Sequence, residues 1–199
     1  TIPINLLCYL HYKDAKGQES KRRVTIKKME PWNDEYALLA YCHERQAHRT
    51  FKLSGILSLC DLETGELINN PYQYFLDRYN DSPLGRFTKL MKLIEDQILV
   101  LVFIARADGR LTVKERKVIA DFINKKSDSE IDFLVLDHEV KMLYCELPYF
   151  NKSIKKLKNL NQNEKELFIQ TINLIIECDK NVDPMEIAAR DKIEKILLS

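Results

Sequence analysis

The chain has 199 residues, and its 31 Lys and Arg against 30 Asp and Glu leave a formal charge of +1. That balance excludes a uniformly basic nucleic-acid coat protein and leaves room only for local basic patches. With 45% hydrophobic and 31% charged residues the chain is globular rather than disordered, and its length holds one large or two small domains.

No apolar run approaches the roughly 18 residues that a membrane span needs, and nothing resembles a signal peptide. A cytoplasmic location is therefore expected. The five cysteines, Cys8, Cys42, Cys60, Cys145 and Cys178, are scattered, and no two stand two residues apart. This argues against both a disulfide framework and a zinc knuckle, and predicts buried free thiols.

In chain order, the first 70 residues alternate with the two-residue period of half-buried strands. Val24 and Ile26 alternate with Arg23, Thr25 and Lys27, and Phe51 and Leu53 alternate with Thr50 and Lys52. Strands are predicted over 4–13, 20–29, 36–43, 47–53 and 55–61. Turn residues separate them: Asp14-Ala15-Lys16-Gly17, Pro31-Trp32-Asn33-Asp34 and Glu63-Thr64-Gly65-Glu66. Five short antiparallel strands suit a small barrel that removes its sheet edges. A short helix with Pro71 at its first position follows near 70–76.

Asn80-Asp81-Ser82-Pro83-Leu84-Gly85 reads as a linker between a sheet domain (1–79) and a helical domain (86–199). Beyond it the period is helical, with Leu90, Ile94, Ile98 and Leu101 on one face. Helices are predicted over 84–107, 113–126, 129–147, 151–159, 162–178 and 184–198. The fold class is thus α+β in two domains, a small antiparallel β-barrel followed by an all-α bundle.

Within the helical part an acidic loop occurs twice. Ala107-Asp108-Gly109-Arg110-Leu111-Thr112-Val113-Lys114-Glu115 returns, altered, as Cys178-Asp179-Lys180-Asn181-Val182-Asp183-Pro184-Met185-Glu186. Thr112 with Glu115 forms a capping-box pattern, and Asp183 with Pro184 and Glu186 repeats it. Asp108 and Asp179 are left over. Each ends a helix, where the dipole disfavours a carboxylate, so a partner is expected. That partner is a Lys or Arg, the amides of the next helix, or a hard cation such as Mg2+ or Ca2+.

The first copy, Ala-Asp-Gly-Arg-Leu-Thr-Val-Lys-Glu-Arg after an apolar helix, resembles the TerB domain of the tellurite-resistance family. The resemblance covers about residues 86–199. It implies an all-helical fold of two helix–loop–helix halves, acidic clusters with divalent-cation binding, and a role as partner to stress and phage-defence proteins. The second copy departs from it by lacking Gly after Asp179.

The sheet half carries cations and rings together: Lys21-Arg22-Arg23, Lys27-Lys28, Tyr41-Cys42-His43-Glu44-Arg45 and His48-Arg49-Thr50-Phe51-Lys52. Arg forks suit phosphate and rings suit exposed bases, while ordinary cation–π packing on a solvated face is the alternative.

The spacings Tyr12-x-Asp14-x-x-Gly17-x-x-Ser20-x-Arg22-x-Val24, Leu39-Ala40-Tyr41-Cys42-His43-x-Arg45 and Arg49-Thr50-Phe51-Lys52-Leu53 resemble the WYL domain over about residues 2–70. The resemblance implies a small Sm-like (SH3-like) barrel in a bacterial regulator that senses nucleic acids or nucleotides. It carries over Tyr12, Ser20, Arg22, Tyr41, His43, Arg45 and Arg49 as ligand contacts. The family's Trp-Tyr-Leu stands here as Tyr36-Ala37-Leu38, and Gly55 replaces a common Arg.

No P-loop, dinucleotide loop, nucleophile elbow or HExxH motif is present, and the four His have no ligand spacing, so no catalytic residues are assigned and a non-enzyme is expected. The leading expectation is a sensing module. Its barrel binds single-stranded nucleic acid or a nucleotide, and its helical domain meets a partner protein in a stress or phage-defence response. A homodimer is compatible with it. The competing expectations are a divalent-cation scaffold using Asp108 and Asp179, and a fragment of a transcription regulator without its helix-turn-helix.

Overall fold

A computed structural model describes residues 1–178 and 184–197. The chain divides into two compact units, Thr1–Ser82 and Pro83–Ser199.

The first unit is an antiparallel sheet with one helix. Its strands are β1 (Ile2–Lys13), β2 (Glu19–Trp32), β3 (Glu35–Cys42), β4 (Ala47–Lys52) and β5 (Ile56–Asp61), followed by α1 (Pro71–Asp81). The order across the sheet is β4-β3-β2-β1-β5. Alternation in the sequence becomes a one-sided core: Cys8, Leu10, Val24, Ile26, Met29, Leu38, Ala40, Cys42 and Leu59 are all at most 1% exposed. Ile68 and Phe75, from the segment after β5 and from α1, complete it. Asn70 caps α1 by accepting from the Gln73 amide, with Pro71 in the first turn.

The sheet is open, which corrects the expectation of a closed barrel: β4 and β5 are its two edges and do not pair. It is nonetheless strongly curled. A flat sheet would hold strands four spacings apart at about 19 Å. Only a one-turn 3-10 segment, Leu53–Gly55, joins β4 to β5, and it reaches about 14 Å at most. Register shifts between Pro3 and Leu6, between Ile26 and Lys28, and between His11 and Tyr12 supply the bending.

Where the two edges approach, Tyr12 of β1 lies edge-on to Phe51 of β4, with ring centroids 5.1 Å apart. Its hydroxyl accepts from the Lys52 amide at 3.3 Å. Gly55 completes the contact, because a Cβ there would sit 2.5 Å from the Tyr12 ring and 2.6 Å from the Lys13 carbonyl oxygen.

In the second unit the helices are α2 (Pro83–Ala105), α3 (Val113–Lys126), α4 (Phe133–Met142), α5 (Leu147–Lys156), α6 (Gln162–Ile176) and α7 (Pro184–Leu197). α2 is the central rod. Ile98, Val100, Leu101, Val102 and Ile104 are all at 0% exposure, so neighbouring helices cover this stretch on most of its circumference, leaving Leu99 and Phe103 partly exposed.

The predicted helix 129–147 is shorter, for two local reasons. Asn124 clamps the backbone of Ile131 through both its N–H and its C=O, which holds that residue out of a helix, and Asp132 then caps α4. The chain leaves α4 at Leu143 and restarts at Leu147, because Pro148 lacks an N–H and fits the first turn of α5. Asn161 with Glu164 forms a capping box on α6 that was not anticipated.

Two predictions follow from this packing. Gly55→Ala should cost the sheet unit about 2 kcal/mol, since neither the Tyr12 ring nor the Lys13 backbone can withdraw without opening the curl. Urea unfolding followed by the fluorescence of Trp32, the chain's single tryptophan, reads this unit directly. The second concerns Asp61, 1% exposed at the end of β5. Burial alone would raise its pKa. The Glu63 and Thr64 amides, the Thr64 hydroxyl and the Arg78 guanidinium outweigh that and hold it below its ordinary 3.8. A depressed carboxyl stabilises the fold above its unfolded pKa and ceases to as pH falls through the folded value. The Trp32-monitored melting temperature should therefore decline below about pH 4, and less steeply for Asp61→Asn.

Candidate functional site

Residues paired directly across an antiparallel sheet share a face, so the register sorts the candidate contacts. Tyr12 pairs with Ser20 and Leu10 with Arg22, and Ala40 pairs with Arg49. Leu10 and Ala40 belong to the core. Tyr12, Ser20, Arg22 and Arg49 therefore have the parity of the inner face, with Arg22 half-buried and Arg49 exposed at its rim. Arg45 lies in the loop that turns β3 into β4, where Gln46 adopts φ 48.

Tyr41 belongs to the outer face. It pairs with Thr25 on one side and His48 on the other. The His43 and His48 rings meet the Tyr41 ring edge-on at 5.3 and 5.4 Å, and His43 shares a 2.8 Å hydrogen bond with the Thr25 hydroxyl. The next row of the outer face holds Cys60, Tyr9 and Arg23, with the His43 amide bonded to the Arg23 carbonyl. The sequence grouping thus separates into two faces. Tyr41 and His43 are not brought together with Arg22 and Arg49. His48, grouped in the sequence with the cations but not among the ligand contacts, joins the Tyr41 cluster together with Thr25. The pairing of Tyr41 with His48 across the β3–β4 hairpin was the signal for His48.

The acids of the sheet have other partners. Asp14 accepts from the Lys16 and Gln18 amides, both at 2.9 Å, and so organises the β1–β2 turn. Glu19 meets His11 at 2.9 Å and Glu30 meets Lys28 at 2.6 Å. Glu35 accepts from the Ser54 amide and pairs with Lys52 at 3.2 Å. Glu44 accepts from the Arg23 amide at 2.8 Å, the main reason its carboxyl is held below the ordinary range. Among the described residues no acid pairs with Arg22, Arg45 or Arg49. These three guanidiniums are uncommitted, whereas Tyr12 is engaged by Phe51, Lys52 and Gly55.

In the helical unit, Asp108 is exposed beyond the end of α2 and its carboxylate accepts from the Arg110 amide at 2.8 Å. Gly109 takes the left-handed conformation there, φ 85. The amide of its own loop is therefore one compensating partner for this acid. The predicted capping box of Thr112 and Glu115 is formed, with both of its reciprocal bonds. Asp179 and Asp183 lie outside the described residues. Among the described residues no three His, Cys, Asp or Glu side chains converge as a cation site would require, and no helix is long and apolar enough to cross a membrane.

Cys8, Cys42, Cys60 and Cys145 are free thiols. Burial pushes the Cys8 thiol up to about 12 and the Cys145 thiol up to about 11, so both are protonated and unreactive at neutral pH. Cys42 is buried while the adjacent His43 is exposed, so the two cannot act as a dyad.

Residues 6–60 match the family model of the WYL domain. The match begins within β1 and ends within β5, so it covers the sheet and stops before α1 and the helical unit. WYL domains are regulatory, ligand-sensing domains, and it is to this class that the sheet is similar. No curated protein matches the chain.

Proposed function

We propose that the protein is a non-enzymatic sensing module. Its WYL-like sheet binds an anionic ligand, single-stranded nucleic acid or a nucleotide, through Arg22, Arg45 and Arg49. The observation that carries this reading is the set of three guanidiniums without an acidic partner, in a sheet whose Lys28 and Lys52 are paired. An arginine fork left in solvent suits phosphate oxygens, which it can meet with two parallel hydrogen bonds. The ring cluster of Tyr41, His43 and His48 offers a stacking surface on the opposite face, available to a strand that wraps the sheet edge.

The helical unit, which resembles TerB domains, serves protein interaction in this reading, in a bacterial stress or phage-defence response. Its support is the exposure of Met142, Tyr144, Leu147 and Tyr149, at 56–72%, within one short stretch around the α4–α5 connection. Aromatic and Met side chains exposed together are the composition of interface cores.

Fluorescence anisotropy with labelled single-stranded DNA and RNA tests the ligand. If three phosphates are neutralised, log affinity should fall against log salt with a slope of about −2. Arg45→Ala with Arg49→Ala should weaken binding at least tenfold and reduce the slope to about −0.7. Equal binding by the double variant and the parent would show that the arginines are not the contact.

A further inference from the structure

The two edges of the sheet are not equivalent. Half of the β5 edge is already occupied: the Ile68 amide donates to the Leu59 carbonyl at 2.8 Å, the Asp61 amide to the Glu66 carbonyl at 2.9 Å, and Leu67 bridges Cys60. β4, at the other edge, has a neighbour only in β3.

The direction of its main chain follows from one bond. The Lys52 amide points away from β3, to the Tyr12 hydroxyl. Amides alternate along a strand, so those of His48 and Thr50 also point outward, as do their carbonyls. Among the described residues no hydrogen bond from a loop or side chain reaches them. Arg45 and Arg49 stand beside this edge without an acidic partner, whereas Glu35 and Glu44 are held by Ser54 and Lys52 and by Arg23.

We propose that the β4 edge binds an extended acidic peptide segment of a partner protein as a sixth strand. The main chains of His48 and Thr50 would supply the ladder, and Arg49 and Arg45 would read acidic side chains on the added strand. This is recognition by strand addition, in which backbone bonds hold the peptide and alternate side chains select it. A second copy of this chain fits poorly. In the antiparallel register that centres two β4 edges on Arg49, each Arg49 would face its own copy, a like-charge pair that is destabilising. The charge that repels a copy attracts an acidic strand.

The test uses the full chain and a short acetylated peptide of alternating Glu and Val, with amide hydrogen exchange read by NMR and affinity by calorimetry. The peptide should protect the His48 and Thr50 amides, and its affinity should fall with salt. Thr50→Pro removes an outward donor that the β3 ladder does not use, and Pro is tolerated on edge strands. It should weaken peptide binding about tenfold, as loss of ladder bonds implies. The same peptide N-methylated at every residue, tested on the unaltered protein, should not bind. Equal binding of the N-methylated peptide would reduce the interaction to charge attraction and overturn the proposal. So would failure of the Glu/Val peptide to bind, or a dimer in sedimentation that Thr50→Pro dissolves. Both readings draw on Arg45 and Arg49, and Thr50→Pro tells them apart: it should weaken the peptide while oligonucleotide binding is retained, and failure of the nucleic-acid reading would leave peptide protection at His48 and Thr50 intact.

Discussion

Everything in the sheet unit depends on the short passage from β4 to β5. Three residues must carry the chain from one edge of a five-stranded sheet to the other, and only a strongly curled sheet lets them. The contact that holds the curl joins Tyr12, Phe51, the Lys52 amide and the bare α-carbon of Gly55. It gives the sheet a filled inner face and a wet outer one. It also spends Tyr12 on structure, and it explains a Gly at the position where the WYL resemblance leads one to expect Arg. The space beyond the Gly55 α-carbon is already filled by the Tyr12 ring.

The curl also decides what the charges can do. Residues 1–82 carry eleven Lys and Arg and eleven Asp and Glu, so this unit has no net field with which to attract an anion. Attraction must be local, within about 10 Å at ordinary ionic strength. The arrangement is selective: the turn of Asp14, the hairpin of Glu44 and the connection near Glu35 each consume a carboxylate on backbone amides. Arg22, Arg45 and Arg49 are the guanidiniums that remain, beside the ammonium groups of Lys13, Lys16 and Lys21, which also meet no acid among the described residues. Hydrogen bonds that fix the loops thereby leave the arginines unneutralised, which links the fold to the proposed recognition more tightly than composition suggests.

The sheet was legible because each strand has one buried face, and alternation of Val24 and Ile26 with polar neighbours states this outright. Helix starts were legible where a cap accompanied them, as at Asn70 and Thr112. The break between α4 and α5 was not. It depends on Asn124 reaching seven residues along the chain to Ile131, and on Pro148 acting as a helix start rather than a stop. The site was only half legible. Residue types were visible, but which face each occupies follows from the pairing of Tyr41 with His48 and of Ala40 with Arg49. Neighbours in sequence, His48 and Arg49, end on opposite faces. The repeated acidic loop remains a mark of the helical part: its first copy is a cap plus a carboxylate turned onto the Arg110 amide, and the decisive part of its second copy lies outside the described residues.

The central claim is that an anionic ligand is held by uncommitted arginines on the inner rim of the sheet and in the β3–β4 loop. The most direct measurement is an NMR titration of the full chain with a short single-stranded oligonucleotide, following the side-chain Nε–H signals of Arg22, Arg45 and Arg49 beside the ring signals of Tyr41 and His43. The account predicts that the three arginine signals shift together and saturate at one ligand concentration. Shifts confined to the outer-face rings, with the arginine signals unmoved, would contradict it.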